Sequence, residues 1–347
     1  MTSEDPHGLD HPWADGPAPG TLREVAPGLF WLRMRVPFPP EHINLWLVED
    51  GDGWAIVDCG LGLDETRAAW ERIFAEGLGG RPVTRILVTH FHPDHLGLGT
   101  WLSARWDAEV WMTQGEWMTA RGVHAEAGEA EIANKVAFYR RNGVPEASLP
   151  GFATPPNSFY RSMVPAIPQR FVRLSGGQSL RIGAHEWRVI LGRGHSPEHA
   201  CLWCPALGAL MCGDILLPRI SPNVSVWATE PLGDPLAEYL SSLDGFAGVP
   251  ADTLVLPAHG QPYRGIHRRI AALRAHHDER LDRIARALAE APRHAVGCFP
   301  LLFRREIGAA NMGLALGEAV AHLHLLVSQG RAVPAASPGG VRVFAAA

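Results

Sequence analysis

Thr89-His90-Phe91-His92-Pro93-Asp94-His95 decides how this chain folds and what it does. Four groups able to bind a metal sit within six positions, directly after Ile86-Leu87-Val88, an apolar run that reads as a buried strand. The carboxyl end of a strand is where an α/β protein places its chemistry. His90 and His92 are two apart, so on an extended chain both imidazoles project to one side. Pro93 ends the strand, and the turn behind it can aim Asp94 and His95 at a second point. Leu96 through Trp101-Leu102 reads as a helix that anchors the turn. Neutral imidazole and carboxylate suit Zn, Fe or Mn. A surface loop that happens to hold histidine is the plainer alternative, since the chain has 17 of them. A His-x-His-x-Asp-His string placed after a strand favours the metal.

Outward from the cluster, the chain reads as alternating strands and helices. Ile43–Val48 and Trp54–Val57 form a hairpin around Glu49-Asp50-Gly51-Asp52-Gly53, and the second strand ends in Asp58. Asp64 reads as the N-cap of a helix whose inner face is Trp70, Ile73 and Phe74. A short strand follows near Val110–Met112. From about 114 to 170 the pattern becomes helical, with Gly128–Arg141 carrying Ile132, Val136 and Tyr139 on one side. This insertion either packs on the core or closes over the metal site. In the second case Phe138, Tyr139, Arg140, Phe159, Tyr160 and Arg161 are available to a substrate. Strands resume at 171–174, 179–182 and 187–191. Three apolar runs then end in possible ligands: Val189-Ile190-Leu191 before His195, Leu210-Met211-Cys212 before Asp214, and Leu254-Val255-Leu256 before His259.

Composition bounds the answer. The 347 residues are 46% hydrophobic and 19% charged, with a formal net charge of −5, a composition that points to neither a general polyanion binder nor a membrane protein. Of 31 basic residues only Lys135 is a lysine, so Schiff-base chemistry is not expected. The first twenty residues read as a flexible tail rather than a signal peptide, and no apolar run looks long enough to span a bilayer. Five sparse cysteines favour a reducing cytoplasm. Cys201-x-x-Cys204 lies inside a predicted strand with no second pair, so it reads as two buried small residues rather than a redox or zinc pair.

These motifs resemble the metallo-β-lactamase-fold hydrolases, including their glyoxalase-II-like and lactamase-beta-2-like members. The Thr-His-x-His-x-Asp-His string, Gly-His-Ser-Pro-Glu-His at 194–199, Gly213-Asp214 and Ala258-His259-Gly260 match in order over about residues 21–265. The resemblance implies an α/β fold, an αββα sandwich with the site at one edge of two packed sheets. It implies two divalent cations, zinc first and iron or manganese as alternatives. His90, His92 and His195 would hold one; Asp94, His95 and His259 the other; Asp214 would bridge them. Water between such cations ionises near pH 7, where even a single zinc brings its pKa to about 7, and it would attack a carbonyl or phosphorus. Asp94 would also orient the nucleophile and carry a proton. Asp58 is either a hydrogen-bond partner behind a ligand or a plain turn carboxylate. His199, four after His195, is expected to hydrogen-bond behind the site, and Asn223 to line the cleft. His124, His185, His276 and His277 read as structural or solvated.

Residues 266–347 read as a separate C-terminal domain. A helix over Ile266–Ala291 carries the stripe Ile270, Leu273, His277, Leu281, Ile284 and Leu288. Shorter helices are predicted at Pro300–Ile307 and Leu314–Val327, then a hairpin around Pro338-Gly339-Gly340. The order resembles a winged helix. This segment has 11 arginines against 6 acids, but the helix that would enter a groove, 311–330, has Glu318 and no Arg or Lys. Phosphate contact needs cations there, so packing or homodimerisation is expected ahead of nucleic-acid binding. The expected activity is hydrolysis of a small ester or thioester, of acylglutathione or acyl-CoA type, with an endoribonuclease or a lactonase as alternatives.

Overall fold

The structure is a computed structural model that describes residues 5–155, 157–336 and 339–347. In chain order its regular elements are β1 (Arg23–Ala26), β2 (Leu29–Arg35), β3 (His42–Asp50), β4 (Gly53–Val57), α1 (Asp64–Glu76), β5 (Val83–Leu87), α2 (Pro93–Leu96), α3 (Gly99–Trp106) and β6 (Glu109–Thr113). The insertion supplies α4 (Gln114–Ala125), α5 (Glu129–Arg141), a 3-10 turn at Glu146–Phe152 and α6 (Ser158–Met163). Then come β7 (Val172–Leu174), β8 (Ser179–Ile182), β9 (His185–Gly192), β10 (His199–Cys204), β11 (Ala209–Gly213), α7 (Pro235–Ser242) and β12 (Leu254–Pro257). The C-terminal part holds α8 (Ile266–Glu290), α9 (Phe299–Leu302), α10 (Met312–Ser328) and the hairpin β13 (Ala332–Ala336) and β14 (Arg342–Ala346).

Strands β1 to β7 form one sheet in sequence order, and β12-β11-β10-β9-β8 form the second. The period-two alternation of these strands splits the apolar residues into three cores. Trp31, Trp46, Val57 and Leu87 of the first sheet meet Trp187, Val189, Leu202 and Leu256 of the second in the middle layer. The other face of the first sheet, with Leu45 and Ile56, is covered by Trp70, Ile73 and Phe74 of α1 and Leu102 of α3. The other face of the second, with Cys201, Leu210 and Val255, is covered by Tyr239 of α7, Leu281 of α8 and Leu316 of α10. Helices therefore cover both outer faces of a two-sheet sandwich. Cys201 and Cys204 fall in different cores because three positions along a strand reverse the face, and all five cysteines are buried and free.

Several expectations from the sequence need correction. Of the supposed flexible tail, residues 1–4 lie outside the described residues, but Leu9 is buried and Asp10 exchanges backbone hydrogen bonds with Arg264. Trp13 packs on Trp31, so apolar burial holds this segment down despite its Gly/Pro-rich composition. Asp64 is the first helical residue of α1, and Leu63 takes the cap position. The helix expected over Pro300–Ile307 stops at Leu302, because Arg304, Arg305 and Glu306 offer no apolar face to bury. Strands β1 and β2 and helix α7 are additions to the sequence-based expectation.

Helix α10 departs most from expectation. Ala309–Ser328 is, by length and a mean hydropathy of 1.2, apolar enough to cross a membrane, yet 61% of that window is buried inside the protein. It is the central helix of the C-terminal part, flanked by α7, α8 and β13, and its apolarity answers to that enclosure. Three helices followed by a hairpin match the expected order, although Pro338 of the turn lies outside the described residues. The insertion divides between the cores: Ala120, Tyr160 and Ile167 join the first sheet's outer core, while Phe138, Val144 and Leu149 join that of α8 and α10.

Candidate metal centre

Five strand ends meet at one edge of the sandwich: β4 leads to Asp58, β5 to His90, β9 to His195, β11 to Asp214 and β12 to His259. The structure brings all seven anticipated ligands together there, in two groups. His90, His92, His195 and Asp214 form one, and Asp94, His95 and His259 the other, with ligand atoms in each group within 4.8 Å of one another. His90 Nε2, His92 Nδ1 and His195 Nε2 form a triangle with sides of 2.8, 3.1 and 3.3 Å. On the far side, His259 Nε2 lies 3.2 Å from Asp94 Oδ2. Asp214 stands between the groups. Its Oδ2 is 3.4 Å from His195 Nε2, and its Oδ1 is 3.6 Å from both His95 Nε2 and His259 Nε2.

The ring tautomers follow from what lies behind each histidine. His195 Nδ1 donates to the Asn223 carbonyl at 2.7 Å, and His259 Nδ1 to the His42 carbonyl at 2.7 Å. His95 Nδ1 donates to Asp58 Oδ2 at 2.7 Å. Thr89 Oγ1 donates to Asp58 at 2.8 Å and accepts from His90 Nδ1 at 3.1 Å. Each of these four rings therefore turns its Nε2 into the site, where a bound cation would take the lone pair. His92 alone presents Nδ1.

This arrangement fits divalent cations. His90 and His195, their Nδ1 hydrogen-bonded behind the rings, crowd their Nε2 atoms against His92 Nδ1 at 2.8 to 3.3 Å, an arrangement that a positive centre among the three nitrogens would stabilise. Nitrogens about 2.0–2.1 Å from a tetrahedral zinc stand roughly 3.3 Å from one another. Burial pushes His92 down to about 3 and His90 well below the imidazole range, so both stay neutral. His95 goes the other way: burial opposes its charge, but Asp58, Asp94 and Asp214 hold it well above the usual range, the mark of a pocket that favours a cation at Nε2. His95 Nε2 and Asp214 Oδ1 are buried with no hydrogen-bond partner, a state that an ion or a water would relieve.

Other anticipated residues separate into those at the site and those away from it. Asp58, in the left-handed region at φ 64°, uses both oxygens on the 89–95 turn. His199 stacks on His90 with centroids 4.6 Å apart and accepts from Asp214 N at 3.2 Å. Gly213 must lack a side chain, because a Cβ there would strike the His199 ring. Asn223 reaches the site through its carbonyl, and its side chain turns to α10. Three residues proposed as substrate contacts are placed as follows. Tyr160 is buried and donates its hydroxyl to the Phe91 carbonyl at 2.7 Å, which ties α6 to the first ligand loop. Tyr139 packs on Phe152 and over Gly313 at the start of α10. Arg161 is exposed on α6. His276 and His277 lie on α8, where His277 Nδ1 is 3.3 Å from His322 Nε2.

Two contributors escape a reading of the sequence. Glu116 of α4 is fully buried and accepts from Phe91 N, Ser196 Oγ and Glu198 N at 2.7–2.9 Å, tying the first ligand loop to the loop of His195. Its signal is weak: one acid on a helix face that otherwise packs inward. Thr89 stands inside the motif without being a ligand, yet its hydroxyl connects His90 with Asp58.

Comparison with known proteins agrees with this geometry. The Metallo-beta-lactamase superfamily profile matches residues 38–259, and a Metallo-beta-lactamase-like, C-terminal domain profile matches 281–347. The chain belongs to the metallo-beta-lactamase superfamily, and it is a metal-dependent hydrolase of that superfamily. Among solved structures it is similar to a beta-lactamase domain protein from Burkholderia ambifaria, with 47% identity, 98% of this chain and 99% of that one covered, and a TM-score of 0.92. A metallo-beta-lactamase family protein from Thermus thermophilus shares 30% identity over 93% of this chain and all of that one, at a TM-score of 0.78. A protein named "Probable metallo-hydrolase YqjP" from Bacillus subtilis (strain 168) is 25% identical over 86% of this chain and 92% of its own length. One named "Hydroxyacylglutathione hydrolase" from Dechloromonas aromatica (strain RCB) is 27% identical over 62% of this chain and 57% of its own length.

Proposed function

We propose that the chain hydrolyses a small ester or thioester, of acylglutathione or acyl-CoA type, at a pair of divalent cations. The observation that carries this is Asp214, one carboxylate with an oxygen turned to each ligand group. Bound there, the two cations would activate water and polarise the scissile carbonyl. The protein's own residues supply the rest. The outward-committed Nδ1 protons keep His90, His95, His195 and His259 oriented without a search at the moment of reaction. Asp94 lies in the first turn of α2, with its side chain partly open to solvent. Burial opposes its charge, but His95 and His259 outweigh burial and hold the carboxyl below the usual range. It is thus ionised and can take a proton at an oxygen, then deliver it to the leaving thiolate or alkoxide.

Support for a small substrate over RNA comes from α10. The helix that would have to dock on a duplex is enclosed by α7, α8 and β13 and offers no row of cations. Ile220 and Trp227, in the segment that follows Asp214, and Leu314, in the first turn of α10, leave large apolar surfaces exposed, which suits an acyl group. The relative named as a hydroxyacylglutathione hydrolase points the same way. The test is a panel of acyl thioesters, lactones and a structured RNA offered to zinc-, manganese- or iron-loaded protein. Thioester turnover abolished by His92→Ala is the expected result. Cleavage of RNA alone, abolished by the same variant, would overturn the reading, and turnover of lactones alone would move it to the lactonase alternative.

A further inference from the structure

His195 is oriented by a main-chain atom, the Asn223 carbonyl. A carbonyl has no side chain of its own to place it, so its position depends on whatever fixes residues 217–226, the loop that follows Asp214. The C-terminal part fixes them at point after point. Arg269 of α8 donates to the carbonyls of Leu217 and Ile220 at 2.5 and 2.8 Å. Asn223 Nδ2 reaches Leu314 O and Glu318 Oε2 of α10, each at 3.5 Å. Val226 N donates to Gly317 O at 3.1 Å. Glu318, its side chain 13% exposed, is ion-paired to Arg280 of α8. At Gly317 helix and loop come so close that a Cβ would lie 2.6 Å from Ser225 Cβ and 2.8 Å from Val226 O. Glycine inside a helix is less stable than alanine, so its use here answers to the approach of the loop.

We propose that the C-terminal part is a positioning clamp for the metal centre: α8 and α10 hold loop 217–226, and the loop's Asn223 carbonyl holds His195. Glu318 and Gly317 are its positioning residues, and neither touches a ligand atom. The inference rests on the metal centre and not on the choice of substrate. It also gives the C-terminal part a role that needs neither nucleic acid nor a second copy of the chain. The clamp predicts that damage in α10 weakens one cation and spares the other, since His195 belongs to one ligand group.

The experiment titrates metal-free, full-length protein with zinc against a chromogenic chelator, and with cobalt(II) followed by visible absorption. The native chain is expected to take up two cations. Glu318→Ala and Gly317→Ala are expected to weaken one by about 10–100-fold, the range for disturbed partners behind a ligand, and to shift the cobalt spectrum while leaving the other at its native affinity. Glu318→Gln, which keeps an acceptor for Asn223, should fall between. Asp282→Ala, which breaks a half-exposed ion pair with Arg331 in the same part of the chain, should leave both affinities unchanged. If Glu318→Ala fails to fold, Gly317→Ala keeps every side-chain bond and decides alone. A folded Gly317→Ala protein that binds both cations with native affinity and spectrum overturns the clamp, as does equal weakening of both cations, which would mark a general loss of stability.

Discussion

Glu116 offers the sharpest check on how the two ligand loops are joined. Its Oε1 accepts from Ser196 Oγ and Glu198 N, both at 2.7 Å, and its Oε2 from Phe91 N at 2.9 Å. Glu116→Ala leaves the Phe91 and Glu198 N–H groups with no partner, while the Ser196 hydroxyl is free to rotate. An unsatisfied buried donor costs about 1–3 kcal/mol, so the variant should lose roughly 2–6 kcal/mol, a large share of the ~5–15 kcal/mol that holds a typical protein folded. Glu116→Gln is the informative partner. It keeps both bonds at Oε1 and turns an NH₂ toward the Phe91 N–H, a loss of about 1–3 kcal/mol. Burial raises the Glu116 carboxyl against its three donors, so removing a buried charge offsets much of that loss. Gln should therefore stay within about 1 kcal/mol of the native protein. Urea unfolding of metal-free protein measures both values, and chelator competition should show zinc affinity falling about 10–100-fold in the alanine variant. If glutamine and alanine proved equally damaging, the charge and not the bonding pattern would be what joins the loops. If alanine were harmless, the bridge would carry no strain at all.

Other consequences are checked more briefly. Asp214→Asn removes the charge that both ligand groups share, so metal analysis should show uptake falling from two cations per chain toward one, with hydrolysis lost. Stripping the metals with a chelator should lower the thermal midpoint, because a cation present at a hundred times its Kd stabilises the fold by about 2.7 kcal/mol; an unchanged midpoint would argue against tight sites. In metal-free protein, burial holds His277 down to about 2 and His322 to about 3, against an ordinary value of 6.5. Both rings bind protons more readily unfolded than folded, so stability should be full above pH 6.5 and fall steadily as the pH drops toward 3. Replacing His277 by Gln should flatten that slope. All five cysteines are buried and free, so a thiol reagent should react with them slowly until denaturant is added.

Much of the site was legible because metal ligands are side chains, and side chains are what a sequence spells out. The string at 90–95 carries its own spacing argument, and His195, Asp214 and His259 each stand just beyond an apolar run of strand length. The helices that cover the sandwich were legible for a related reason, whereas the αββα arrangement itself was implied by the resemblance of the motifs. Trp70, Ile73 and Phe74, or Leu273, His277 and Leu281, recur at the helical period, and that period survives in the folded chain. Reading fails where a residue's fate is set by distant packing. Arg304-Arg305-Glu306 could not continue a helix without a face to bury. What Tyr139 and Tyr160 pack against likewise depends on how an insertion folds back on two different cores.

The deeper gap concerns what holds the ligands still. Two of the four oxygens behind the histidine rings belong to main-chain carbonyls, those of His42 and Asn223. Every residue has such a carbonyl, so no choice of amino acid at positions 42 or 223 could have announced the role. What specifies these atoms is the path of the chain: strand β3 beginning at residue 42 for one, and a loop pressed against Gly317 and tethered by Arg269 for the other. Rings placed by side chains, as His95 is by Asp58, should respond to mutation at the partner itself. Rings placed by carbonyls should instead respond to mutation wherever the chain path is fixed, including helices that never approach the metals. Asp58→Asn ought therefore to act first on the cation at His95, which it holds directly, and only through Thr89 on the group of His90, whereas Gly317→Ala should act on the cation at His195. A double variant that weakened both cations independently, with additive changes in affinity, would show that the two halves of the centre are held by separate mechanical supports; strong non-additivity would show a single rigid frame.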